Sequence, residues 1–392
     1  MLNIKPVIKL LLFSLMLVQL FGGVVLEANA QDTTPGIPKP VYIEPTPVKE
    51  DVAPGGWTLR GSSPDATSVE TLILGTGESS IHGLIYYDGF LWASTRTAPA
   101  KILKIFPGTT TSSMQVEDSV TLAANRNNAE DIVAANNYIW SIASETDGTT
   151  YSGQAYLVRV DPTTMAVQYT SLYISPQNYL PLAESLKYAH GKLWVGGFNQ
   201  IAEVDISDPD NITFSLFDTS GLAQEDYAWA TALASDATHL WAVFTQGDYA
   251  PQLYLGSTIA RIDPNNPGNL AGYTTQNLSV LFPDDMIFTN GYLYTSSENS
   301  GLPSHSYRFP SDLQSYDTNL AYNDGISYGV FFNPLDTDSF WGAYTGSPGT
   351  LIKFDLDMNQ LWAFQLPTTP SNFDDPSEIA FDESGNMYVS TF

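Results

Sequence analysis

Carboxylates recur at one place in a repeated phrase of this chain. Glu130-Asp131, Glu184, Asp284-Asp285 and Glu378 each stand about ten residues before an aromatic residue, at Trp140, Trp194, Tyr294 and Tyr388. If the phrases are equivalent strands round an axis, these side chains converge, and converging carboxylates repel unless protonated, hydrated or bridged by a cation. Hard oxygen ligands contributed by several strands suit Ca²⁺ or Mg²⁺, so Glu130, Glu184, Asp284, Asp285 and Glu378 form a candidate Ca²⁺ set. The other reading leaves them facing water in a wide channel, or accepting hydrogen bonds from neighbouring strands. His82 holds the same place before Trp92 and is a candidate general base or metal ligand, with Asp131 as a second candidate base. Lys187 breaks an otherwise apolar register, its counterparts being Ile85, Val133, Ile287 and Ala380. A buried ammonium needs a partner, and Glu184 or Glu130 could supply it; an electrophilic role for Lys187 stays open beside that structural one.

The rest of the composition removes many chemistries. There is no cysteine among the 392 residues, which excludes disulfides, thiolate metal sites and a Cys nucleophile. No Ser-His-Asp spacing, phosphate loop or zinc motif occurs. Lys and Arg number 15 against 42 Asp and Glu, a formal charge of −27. Such a surface repels phosphate backbones and excludes nucleic-acid binding.

The repeat organises these positions. The phrase is an apolar strand, a tight turn, then an apolar residue and an aromatic: LIYYDGFLW to Trp92, IVAANNYIW to Trp140, LKYAHGKLW to Trp194. It returns at Trp241, Tyr294, Trp341 and Tyr388, with spacings of 48, 54, 47, 53, 47 and 47 residues. A second phrase follows in most copies, with a cation between apolar residues: Lys104, Arg159, Arg261, Arg308 and Lys353, and Glu203 in the third copy. Recurrence marks these cations as structural, paired with a neighbouring acid such as Asp161, Asp263 or Asp355. Four short strands per copy, with almost no helical periodicity, predict an all-β, seven-bladed β-propeller.

The chain ends divide as follows. Residues 1–30 read as a secretory signal peptide, with Lys5 and Lys9 before an apolar run and Ala28-Asn29-Ala30 as the cleavage site. Its removal takes two lysines and one glutamate, leaving 13 cations against 41 anions. Residues 31–56 carry Pro35, Pro38, Pro40, Pro45, Pro47 and Pro54 and read as a semi-extended linker. The propeller spans 57–392. Its last copy stops after two strands, so 57–75 are expected to supply the missing pair, with Arg60 at the cation position. This closes the ring without a covalent link.

The phrase PSEIAFDESGNMYVS, and more loosely LPLAESLKYAHGKLWVG, resembles the innermost hairpin of the superfamily that holds NHL-repeat proteins, streptogramin-lyase-like proteins and SMP-30/gluconolactonase hydrolases. The hydrolases of that group imply a channel Ca²⁺ held by Glu, Asn and Asp; here no Asn stands at the corresponding positions. The leading expectation is a secreted or cell-surface binding module with an acidic channel, its partner an extracellular protein, glycan or small molecule. The alternatives are a Ca²⁺-dependent hydrolase or lyase at the channel mouth, and a structural subunit of an extracellular assembly.

Overall fold

The computed structural model describes residues 38–42, 70–75, 78 and 80–391, apart from 110–111, 146–152, 176–177, 224–226, 249–252, 279–284, 297–303, 323–326, 347–348 and 367–375. The signal sequence, Arg60 and Asp284 lie outside these residues.

The repeated hairpin forms for a local reason. In four copies the turns are Asp88-Gly89, Asn136-Asn137, His190-Gly191 and Asn290-Gly291, and all eight residues have φ between 48° and 82°. Two consecutive left-handed residues make the turn whose twist matches a β-hairpin, and Asn, Asp and Gly tolerate it best. The aromatic that follows folds back over its own turn. Trp92, Trp140 and Trp194 are buried and each donates its indole N–H to the carbonyl five residues earlier, at Tyr87, Ala135 and Ala189. Trp241 donates instead to the Asp236 carboxylate at 2.9 Å. Each tryptophan thus buries a large ring while keeping its one donor satisfied.

These hairpins open six antiparallel sheets, each of four strands consecutive in the chain. Their innermost strands are Ile81–Tyr87, Arg126–Ala135, Ser185–Ala189, Tyr227–Ser235, Met286–Thr289 and Ser327–Phe331, which number blades one to six. Each innermost strand packs against the next. Only two short 3₁₀ turns, Ser220–Leu222 and Leu270–Gly272, interrupt the strands among the described residues. The architecture is a β-propeller.

A further four-stranded sheet is composite. Pro376–Phe381 pairs with Met387–Thr391, which pairs with Pro38–Tyr42, which pairs with Glu70–Ile73. The seven copies in the sequence therefore stand as six contiguous blades and this mixed sheet. Its outer strand lies inside the stretch expected to provide it. Its third strand does not: Pro38–Tyr42 comes from the stretch read as linker, in place of the segment around Arg60. The ladder explains why prolines are tolerated there. Val41 and Tyr42 make the pairings to both neighbours, while the register slips between Pro38 and Val41. Pro40, whose ring nitrogen has no N–H, thus falls where pairing is irregular, and Pro38 stands at the first position of the strand.

The apolar cores lie between sheets. Trp92 and Ile102 of blade one pack with Ile132, Ile139 and Val158 of blade two. The composite sheet has a core on each side, Ile379, Met387 and Val389 against Trp341 and Trp362, and Ala380 and Tyr388 against Leu84 and Leu91.

Four of the recurring cations tie blades together at the rim, while Lys353 pairs with Asp336 of its own blade at 2.5 Å. Lys104 donates to the carbonyl of Pro162 at 2.8 Å, Arg159 to that of Pro209, Arg261 to that of Ser311 at 2.5 Å and Arg308 to that of Leu356 at 2.8 Å. Each acceptor lies about one repeat further along the chain, on the next blade. The expected pairing with Asp161, Asp263 and Asp355 is corrected. Those carboxylates accept backbone N–H groups of their own turns, from Thr163 and Thr164, from Asn265, and from Asp357 and Asn359. An Asp starting a turn meets these donors locally, with no chain entropy to lose.

Candidate functional site: a charged network on the innermost strands

The expected mouth residues fall where the innermost strands break their alternation. Register shifts bracket His82 between Ile81 and Gly83, and Glu130-Asp131 between Ala129 and Ile132. They also bracket Ser377-Glu378 between Pro376 and Ile379. A bulge adds a residue to one strand and re-aims side chains, so polar groups leave the apolar seam at these points. Gly83 is required beside His82: a Cβ there would stand 2.9 Å from the backbone nitrogen of Ile132, which fixes how closely blades one and two approach.

Arg96 organises the site and was not foreseen. Its Nε donates to Glu130 Oε1 at 2.9 Å and one Nη to Glu184 Oε1 at 3.2 Å, so one guanidinium from blade one joins acids of blades two and three. His82 lies beside it, with Nδ1 3.8 Å from Glu130 Oε2. A signal for Arg96 exists in the hairpin register. Ile81 pairs with Thr95, so the residue after Thr95 must stand beside the strand start that carries His82, and the Arg96 N–H indeed donates to Ser80 O at 2.7 Å.

A second charged group adjoins the first. Both Asp131 oxygens are engaged, Oδ1 by the N–H of Ile132 at 2.7 Å and Oδ2 by the N–H of Leu186 on blade three at 2.9 Å. Asp285 on blade five accepts the N–H of Met286 at 2.7 Å, the same self-capping geometry. The positive charge of Lys187 acts on both Asp131 and Asp285. Lys187 thus lies within electrostatic range of these two aspartates, and Arg96 makes the pairing to Glu130 and Glu184.

Burial sets the protonation. It pushes Asp131 up to about 6, against the opposing pull of the Leu186 and Ile132 N–H groups and Lys187. It pushes Asp285 up to about 7, again against Lys187. Glu130 is also raised by burial, opposed by Arg96. Burial, with the Arg96 charge, holds His82 well below the usual imidazole range, so His82 is neutral at neutral pH and a weak base.

The expected Ca²⁺ set fits this arrangement poorly. The Arg96 guanidinium occupies the position between Glu130 and Glu184 that a bridging ion would need. Among the described residues no three His, Asp or Glu side chains gather closely enough to hold one ion. Glu378 sits on the bulge of the composite sheet, its N–H donating to Ser390 Oγ at 3.1 Å. Two other histidines lie apart from this group: His190 occupies a hairpin turn with φ 54°, and His305 lies on the third strand of blade five, Ser304–Pro310.

Hydroxyls complete the seams. Ser94 Oγ donates to Glu130 O at 2.5 Å from blade one to two, and Ser185 Oγ to Ala230 O at 3.2 Å from blade three to four. Ser377 Oγ donates to Ile81 O at 3.1 Å, from the composite sheet to blade one. Among the described residues no helix is long and apolar enough to cross a membrane.

No protein-family model matches the chain, and no curated protein matches it. Among solved structures it is similar to the WD40 domain of Neurospora crassa Pan2, with a TM-score of 0.53 and 11% identity, over 79% of this chain and 88% of that one. It is also similar to Chaetomium thermophilum Raptor, with a TM-score of 0.54 and 12% identity, over 79% of this chain but 28% of Raptor. At such identity the likeness is one of fold, and the narrower kinship to NHL-repeat and SMP-30-like proteins rests on the hairpin phrase alone. The conclusion these comparisons carry is an all-β β-propeller.

Proposed function

We propose that this chain is a secreted β-propeller that works as a binding module, receiving an extracellular protein, glycan or small molecule at the channel mouth. The composite sheet acts as its seventh blade and closes the ring by joining the two ends of the chain. The observation that carries the reading is Arg96 spanning Glu130 and Glu184. A cation built into the protein already balances the converging acids, which supports a pre-organised recognition surface over a metal-dependent active site. Both Asp131 oxygens are already bound to backbone N–H groups, and the lowered pKa of His82 makes it a weak proton acceptor.

Calorimetry with Ca²⁺ on the purified chain, paired with thermal unfolding in chelator, tests this. The expected result is no binding heat and an unchanged Tm. Ca²⁺ binding that raises Tm, together with lactone or phosphotriester turnover lost in Glu184→Gln, would replace the module with the hydrolase alternative. Concentration-dependent polymers in light scattering would favour the structural subunit.

A further inference from the structure

A second site lies away from the channel, at the rim between blades four and five. A cavity of about 170 Å³ opens there, lined by Leu278, His305, Tyr307, Tyr316 and Thr318. Leu278 ends the outermost strand of blade four, Thr274–Leu278, and the others belong to blade five. We propose that this cavity binds a single neutral sugar ring, with the tyrosines as its stacking platform.

The strand register builds the platform. Tyr307 pairs with Thr318 and Arg308 with Asp317, so alternation puts His305, Tyr307 and Thr318 on one face and Arg308 and Asp317 on the other. Tyr316, just before the outer strand, folds onto the first face. Its ring centroid is 6.1 Å from that of Tyr307 and 5.6 Å from that of Phe309. Phe309 is fully buried and backs both tyrosines, while Tyr316 keeps 41% of its surface exposed. The His305 ring stands 6.4 Å from Tyr307. Rigid aromatic faces are therefore presented to solvent, with their positions fixed from behind.

The lining chooses the ligand class. Among the described residues it has no Asp, Glu, Lys or Arg, on a chain with 42 acids. Asp317, the nearest acid in sequence, is turned to the opposite face and held by Arg308 at 2.8 Å. Among these residues a charged ligand meets no counter-ion, whereas two tyrosines, a histidine and a threonine offer polar groups beside the leucine. A sugar ring matches both halves, stacking its C–H face on tyrosine and hydrogen-bonding at its edge. The volume falls below the ~300–1,000 Å³ of pockets that enclose drug-sized ligands, so it takes one ring of a glycan with the neighbours lying outside. This site does not depend on the channel reading.

The test is a ligand-observed NMR and calorimetric titration of the full chain with glucose, galactose, mannose and N-acetylglucosamine as methyl glycosides. At least one should bind in the millimolar range. Tyr316→Ala should weaken that binding about tenfold or more with Tm unchanged, as loss of a main stacking face requires, and Thr318→Val should weaken it severalfold. Glu130→Gln at the channel mouth should leave it unaltered. The proposal is overturned if no glycoside binds, if binding survives both rim substitutions, or if tyramine binds there and no sugar does.

Discussion

Arg96 Nε lies 2.9 Å from Glu130 Oε1, and the same guanidinium reaches Glu184 at 3.2 Å. The two glutamate side chains are 8% and 14% exposed, so the arginine is their main compensation across two blade seams. Removing one partner from such a site leaves charge stranded in a poorly solvated place. Arg96→Ala should therefore cost about 3–5 kcal/mol, read by urea unfolding, and Arg96→Met combined with Glu130→Gln and Glu184→Gln should restore most of it. A loss near zero in the single variant would mean that the acids are solvated and that Arg96 does not organise the mouth.

Asp131 and Asp285 should make stability fall as pH rises. In the folded chain they hold protons up to about 6 and about 7, whereas in the unfolded chain they release them near ~4. Between these limits the folded state binds more protons, so rising pH favours unfolding across this window. Asp285→Asn should flatten the decline, so that its Tm relative to the parent rises from about pH 4 to about pH 8, at roughly 2–4 °C per kcal/mol for a chain of this size or less. A parallel pair of Tm-pH curves would show that Asp285 titrates normally.

Arg308 is expected to be the strongest of the rim ties. It donates to Leu356 O at 2.8 Å and Asp357 at 2.6 Å on blade six, and pairs with Asp317 on its own blade at 2.8 Å. The acids are largely exposed and contribute little, so most of the effect comes from the carbonyl contact. Arg308→Ala should cost about 1–2 kcal/mol, with little dependence on salt. A loss that disappears in high salt would assign the effect to the surface ion pairs.

Deleting residues 31–44 tests the composite sheet. Met387–Thr391 would lose its neighbour Pro38–Tyr42, and Glu70–Ile73 would lose its attachment to the sheet. The Tm should drop by more than roughly 5 °C, and amide exchange should accelerate first in Pro376–Thr391. An unchanged Tm and exchange pattern would remove the strand from the ring and return that segment to a linker.

The sequence was most legible where structure is local. Two left-handed residues mark four of the hairpins, and in three of these a tryptophan bonds back over the turn, because turn geometry and indole chemistry act over about five residues. The period followed from those marks, and with it the register of His82, Glu130, Glu184, Asp285 and Glu378. Pairing across blades was beyond reach. Which acid meets which cation depends on side chains 34 and 88 residues apart, as for Arg96 with Glu130 and Glu184, and spacing along one strand says nothing of reach across a seam. The same limit hid the carbonyls one blade further on that Lys104, Arg159, Arg261 and Arg308 reach, and the aspartates that Arg159, Arg308 and Lys353 do meet are not the ones beside them in the strand phrase. It also chose the segment around Arg60 over Pro38–Tyr42, since proline content disfavours a strand locally while two well-paired residues, Val41 and Tyr42, suffice once a sheet edge is present.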